Sequence, residues 1–96
     1  MTIEMKSQGT TVEMKLTGWL DTQSAPMLEE EVNALDSSVT GLILDCAGLE
    51  YLSSAGLRQL VAMYKKMNGN LTLRNVSDEI MNVIRITGLD KRMKFE

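Results

Sequence analysis

Residues 2–6 and 11–17 alternate between apolar and polar positions. Ile3 and Met5, then Val12, Met14 and Leu16, share one face, while Glu4, Lys6, Glu13, Lys15 and Thr17 share the other. A period of two predicts half-exposed strands, and Ser7-Gln8-Gly9-Thr10 between them reads as a hairpin loop. Gly18 to Asp21 closes this β segment. From Ser24 the spacing changes: Ala25, Leu28, Val32 and Leu35 recur at intervals of three, four and three, which is one face of a helix. Ser24 is placed to be its N-cap, Pro26 sits in the first turn where a missing N–H does no harm, and Glu29 to Glu31 take the solvent side. Asp36-Ser37-Ser38 ends the helix.

Leu42-Ile43-Leu44 is a short continuous apolar run, the pattern of a central strand covered on both faces. Asp45 stands at its C-terminal end, and Cys46 to Leu52 read as a loop. A second helix is predicted from about Ser54 to Met67, with Leu57, Leu60, Val61 and Tyr64 on one face. Lys65 and Lys66 fall in its last turn, favourable to the helix dipole, and Asn68-Gly69 stops it. Leu71 and Leu73 mark another strand. Ser77 caps a third helix that opens with Asp78 and Glu79, buries Ile80, Val83 and Ile84, and ends at Gly88, and Met93 to Phe95 add a last edge strand. The order predicts a single α/β domain over residues 1–96. Its mixed sheet has about four to five strands with three to four helices packed on it, the parallel part made by right-handed β-α-β crossovers.

A length of 96 residues suits one domain, and about 26% Leu, Ile, Val and Phe is enough for one shallow core. A net charge of −3 and a pI near 4.9 argue against a non-specific binder of nucleic acid or of an anionic membrane surface. No apolar run reaches membrane-spanning length, and Met1-Thr2-Ile3-Glu4 lacks the build of a signal peptide, so a cytoplasmic protein is expected. The single cysteine, Cys46, forbids an internal disulfide and reads as a small core residue. There is no histidine, which removes the commonest general base and the commonest metal ligand together. The expectation is a protein without catalysis, metal or cofactor.

In open α/β sheets, sites gather where strand C-termini meet helix N-termini. Here that place holds Asp45, the stretch to Leu52, and Ser53-Ser54-Ala55-Gly56. A serine before an apolar-periodic run serves as a helix cap, and Ala55-Gly56 lets helix and sheet approach closely. The same position also suits phosphorylation, because a helix N-terminus tolerates the added negative charge. Asp21 and Asp45 read as turn or cap residues more readily than as an acid–base pair. No glycine-rich phosphate loop is present. Lys65-Lys66 and Lys91-Arg92 are solvated helix ends. Most of the eight methionines fill the core, with Met27, Met63 and Met67 available as an adaptable surface.

Leu42-Ile-Leu-Asp45 followed by Leu49-Glu-Tyr-Leu-Ser-Ser-Ala-Gly-Leu-Arg58 resembles the central signature of STAS domains, the family of the anti-sigma-factor antagonists. Leu16-Thr-Gly-Trp-Leu-Asp21 with Ala25 after it, and Asn82 to Phe95 with Gly88-Leu89, are similar to that family's earlier and later stretches. The resemblance implies a partner-switching protein. A partner that is both serine kinase and anti-sigma factor, a histidine-kinase-like ATPase, phosphorylates it on a serine, and a serine phosphatase reverses the step. The unphosphorylated form captures the kinase. Aligned on Gly56-Leu57, Ser54 falls on the phosphorylated serine, and Asp21, Asp45, Ala55 and Gly56 fall around it. Leu52, Leu57 and Arg58 fall at the docking edge. Ser53 replaces the family's usual aspartate and Ala55 its following Ser or Thr, so Ser53 is the second candidate acceptor. A single-domain chain of this kind also resembles the small subunit of a bacterial lipid-transport ATPase complex, which needs no phosphorylation. A monomer that binds no nucleic acid is expected.

Overall fold

The computed structural model describes all 96 residues. Gly9, with φ of +66°, turns the chain between β1 (Thr2–Gln8) and β2 (Thr11–Leu20). Gln8 pairs with Thr11, so the loop is the two residues Gly9-Thr10, tighter than the four-residue loop expected. A glycine at the first position of such a turn supplies the left-handed backbone that matches strand twist. α1 (Ala25–Asn33), β3 (Gly41–Leu52), α2 (Ser54–Lys66), β4 (Leu71–Arg74), α3 (Asp78–Ile86), a 3-10 turn (Leu89–Lys91) and β5 (Lys94–Phe95) follow. The sheet order is β1-β2-β3-β4-β5, with β1 antiparallel and the other neighbours parallel. The expected mixed α/β architecture is therefore present.

Two expectations change. First, β3 does not end at Leu44: it runs twelve residues to Leu52, so the stretch read as a loop is strand. Its alternation is broken where the β2–β3 register shifts, between Lys15 and Thr17 and between Gly18 and Trp19, which hides the period of two from the sequence. Gly48 sits in this irregular stretch, where a Cβ would lie 2.9 Å from Thr17 Oγ1 and 3.2 Å from the Leu16 carbonyl oxygen.

Second, the sheet is covered on one face only. Val12, Met14, Leu16, Leu42, Leu44, Cys46, Leu71 and Leu73 are buried, whereas Lys15 and Thr17 are exposed and Glu13, Ile43, Asp45, Thr72 and Arg74 half-buried. Ile43 completes an apolar run without being core, because Arg74 reaches from β4 across β3 to Glu13 on β2, 2.9 Å away. Such a side chain covers apolar surface with its stem while its charged head stays wet. Arg74 also grips Glu96 at 2.8 Å, and these two carboxylates raise its pKa, Glu96 most.

The helices supply the other half of the core. Leu28 and Val32 of α1, Leu57, Leu60 and Met63 of α2, and Ile80 and Ile84 of α3 are buried in one cluster with the inner face of the sheet. Val61, Tyr64 and Val83, expected inside, are only half-buried, and Met63 takes the central place on α2. Met67 is also buried, which leaves Met27 alone of the three candidate surface methionines exposed. Lys66 Nζ donates to Asn33 Oδ1 at 3.0 Å and clasps the ends of α1 and α2 together. Cys46 lies beneath this layer as expected. Burial, reinforced by the neighbouring Asp45 charge, pushes its thiol up to about 12, which disfavours the thiolate.

Leu44, fully buried on the central strand, sets the scale of the core. Leu44→Ala is expected to lower unfolding stability by about 3 kcal/mol, read as a lower urea midpoint with unchanged slope.

Candidate functional site

The carboxyl ends of β2 and β3 meet the start of α2, and the contact there is backbone to backbone. Ser53 N–H donates to the Leu20 carbonyl at 3.0 Å. A Cβ on Gly56 would lie 2.7 Å from that same carbonyl oxygen and 2.7 Å from Leu52 Cδ1. Only glycine fits, as the close-approach reading of Ala55-Gly56 expects for Gly56.

The two serines divide the work that the sequence left undivided. Ser53 has extended backbone, and its hydroxyl accepts from Gly56 N–H at 3.2 Å, so Ser53 is the N-cap of α2. Ser54 is the first helical residue and is exposed. Capping therefore does not occupy it.

Asp21 is brought to this end of the sheet, one residue beyond Leu20. Its carboxylate accepts from the backbone N–H of Gln23 at 3.0 Å and of Ser24 at 3.1 Å, and from Ser24 Oγ at 3.1 Å. These bonds hold its pKa below the ordinary 3.8, the Ser24 N–H most. Ser24, expected to cap α1 with its side chain, does not. Its hydroxyl accepts from Asp21 N–H and shares its single proton between the Trp19 carbonyl at 2.6 Å and the more distant Asp21 carboxylate, so the side chain ties the turn instead of the helix.

Asp45 is not brought here. It lies on the open face of the sheet, eight residues of strand before Ser53, or roughly 25 Å away along β3. Its carboxylate accepts from Ala47 N–H at 3.0 Å and from Asn75 Nδ2 at 3.1 Å, which lowers its pKa, the first bond most. Asp45 is thus a strand residue that clasps Asn75 beyond the end of β4, not a turn or cap residue, and it is remote from Ser54, which corrects the placement that the resemblance implied. Leu52 is corrected too: it is core, almost without exposure.

Arg58 is exposed, whereas Leu57 belongs to the core and shows only its rim. With Ser54, Val61, Thr87 and Leu89 they line an open groove of about 380 Å³ between α2 and the end of α3. The sequence reading missed Thr87 and Leu89, although Leu89 is an apolar residue stranded beyond the periodicity of α3. It also missed Trp19 and Tyr51, exposed at 58% and 47%, whose rings pack at a tilt of 49° with centroids 5.3 Å apart on neighbouring strands. Trp19 interrupts the polar face of β2, and that was its available signal. No group of three or more His, Cys, Asp or Glu side chains is arranged to hold a metal, and no helix is long and apolar enough to cross a membrane.

Against known proteins, the STAS domain family matches residues 2–96. The anti-sigma-B factor antagonist of Bacillus subtilis (strain 168) is 30% identical over 90 residues, covering 91% of this chain and 83% of the relative. A crystal structure of an anti-sigma factor antagonist from Mycobacterium paratuberculosis superposes with a TM-score of 0.86 at 26% identity, covering 98% of this chain and 83% of that one. The Bacillus cell fate determinant SpoIIAA in its phosphorylated form shares the fold, with a TM-score of 0.77 at 20% identity over 99% of this chain and 91% of that one.

Three measurements test this geometry. Gly56→Ala is expected to cost about 2 kcal/mol of stability. The roughly 1 kcal/mol that alanine gains over glycine in a helix does not offset a clash with a backbone carbonyl. Ser54→Ala, at an exposed position, should leave the urea midpoint unchanged. Because the native pKa of Asp21 is depressed, its contribution is complete above the unfolded value and is lost as pH falls through the native one. The stability difference between wild type and Asp21→Asn should therefore shrink as pH is lowered from about 5 to about 2.

Proposed function

The chain belongs to the STAS domain family, and from that premise we propose that it is a non-catalytic partner-switching regulator, an anti-sigma-factor antagonist controlled by phosphorylation of Ser54. The partner in this reading is a serine kinase of the histidine-kinase-like ATPase type that doubles as the anti-sigma factor. A serine phosphatase restores the binding form. The observation that carries the reading is the division of labour at the start of α2: Ser53 caps the helix, and Ser54 next to it is exposed.

The electrostatics favour a switch. At the first helical position, a phosphate on Ser54 sits beside first-turn N–H groups that lack helical partners, at the positive end of the dipole. Arg58, four residues on, is one turn away on the same helix face and within reach of the phosphate oxygens. The fold therefore accepts the phosphate. A docked partner does not accept it equally, because Ser54 stands at the mouth of the apolar groove formed by Leu57, Val61 and Leu89. Docking there would strip water from nearly two negative charges, and an unpaired buried charge costs several kcal/mol. Each 1.4 kcal/mol is about tenfold in affinity. Phosphorylation thus releases the partner without unfolding the antagonist.

The test uses a purified kinase of this type from the same genome, with ATP. It is expected to transfer one phosphate to wild type, mapped to Ser54 by peptide mass, and none to Ser54→Ala. Ser54→Asp should bind the kinase at least about tenfold more weakly than wild type while keeping its circular dichroism. Phosphate on Ser53 instead would move the switch by one residue. Undiminished binding by Ser54→Asp, with a transporter ATPase retained equally by both forms, would favour the constitutive subunit over the switch.

A further inference from the structure

Independently of that switch, we propose that the free edge of β1 pairs with β1 of a second copy, in one antiparallel register centred on Met5, so that two chains form a continuous ten-stranded sheet. The two edges of the sheet differ. β5 is two residues long, whereas β1 offers a seven-residue edge whose outward-pointing N–H and C=O groups have no strand beside them. An exposed edge of that length is a template for another strand, and natural edges carry features that restrict what may pair with them.

The restriction here is a charge pattern that complements itself. In Thr2-Ile3-Glu4-Met5-Lys6-Ser7-Gln8, a two-fold axis at Met5 sets Glu4 opposite the partner's Lys6 and Lys6 opposite the partner's Glu4. Centring the axis on Glu4 or on Lys6 places like charges face to face. The registers between these set charges against Met5 or against uncharged side chains. Opposite charges directly across an antiparallel pair stabilise it, and like charges destabilise it.

Both faces of the sheet support the same register. On the open face, Arg74, Asp45, Lys15 and Glu4 stand opposite one another on β4, β3, β2 and β1, alternating in sign to the edge. The partner's Lys6 and then the partner's Glu13 continue that alternation without a break. On the helix face, Leu73, Leu44, Met14 and Met5 form one apolar row. The first three are buried, but Met5, at the edge, is 50% exposed. The second Met5 across the axis covers it. A dimer of this kind departs from the expected monomer, since local pattern decides edge pairing.

Sedimentation velocity over a concentration series tests this directly. Wild type is expected to show a concentration-dependent dimer. Glu4→Lys and Lys6→Glu, each alone, should weaken it by about tenfold or more, because both seam pairs become repulsive. Mixed in equal amounts the two variants should dimerise again, since each lysine then faces a glutamate. Restoration on mixing also shows that the variants are folded. Should either variant fold poorly because of its intrachain neighbours Lys15 and Glu13, Met5→Lys sets like charges on the axis without touching those pairs, and it should abolish the dimer. Wild type that stays monomeric up to about 1 mM chain, a dimer that Met5→Lys leaves intact, or variants that fail to recover on mixing, would each overturn the proposal.

Discussion

The carbonyl of Leu20 meets the first turn of α2 so closely that position 56 admits no side chain, and the geometry of the whole candidate site follows from that contact. The same carbonyl accepts the Ser53 N–H. With β2 held to the helix at this point, the Ser53 side chain turns to its own helix as the cap. The next residue is then the first on the helical spiral and faces outward. Asp21, following Leu20, is carried to the same end of the sheet and locked into its turn by two backbone N–H groups. Two chain segments 33 residues apart in sequence are thus aligned by one backbone hydrogen bond and one missing methyl group.

This explains which parts of the architecture the sequence reveals. The hairpin strands were legible because antiparallel pairing with one wet face leaves a clean period of two. α3 was legible from Ser77 and the acidic residues behind it, and in the structure Ser77 does cap Ile80 N–H. β3 was only half legible. Its first part looks doubly covered because Ile43 is shielded by a long-range ion pair between Arg74 and Glu13, 61 residues apart, which no local window contains. Its second part looks like a loop because Ala47-Gly48 fall where the ladder shifts register. Misreading that length displaced Asp45: ending the strand at Leu44 puts the aspartate at the site, and continuing it to Leu52 puts the aspartate a strand's length away.

At the start of α2, sequence gives Gly56 its close-approach role but does not divide the roles of Ser53 and Ser54. Adjacent serines have the same capping chemistry, and the choice between them is made by backbone angles: Ser53 is extended, with φ of −91° and ψ of 175°, the conformation that lets a side chain reach back to the third N–H. At α1 the choice goes the other way. Ser24 already has helical backbone, so its hydroxyl cannot reach the first-turn N–H groups and bonds backward to Asp21 and Trp19 instead. The groove beside Ser54 was invisible for a different reason. Its far wall, Thr87 and Leu89, comes from beyond α3, and only the tertiary packing of α3 against the sheet brings that wall to α2.

The proposed seam and the proposed switch lie in different directions on the same sheet, which constrains how they combine. The switch is at the carboxyl ends of β2 and β3, whereas the seam runs along the side of β1. A two-fold axis at Met5 makes the two copies of β2 antiparallel to each other, so their carboxyl ends point in opposite senses. Pairing therefore leaves both Ser54 hydroxyls outside the seam and facing apart. In the proposed pair each Ser54 is open to a partner independently of the other, so the proposed seam and the proposed switch are compatible on one sheet.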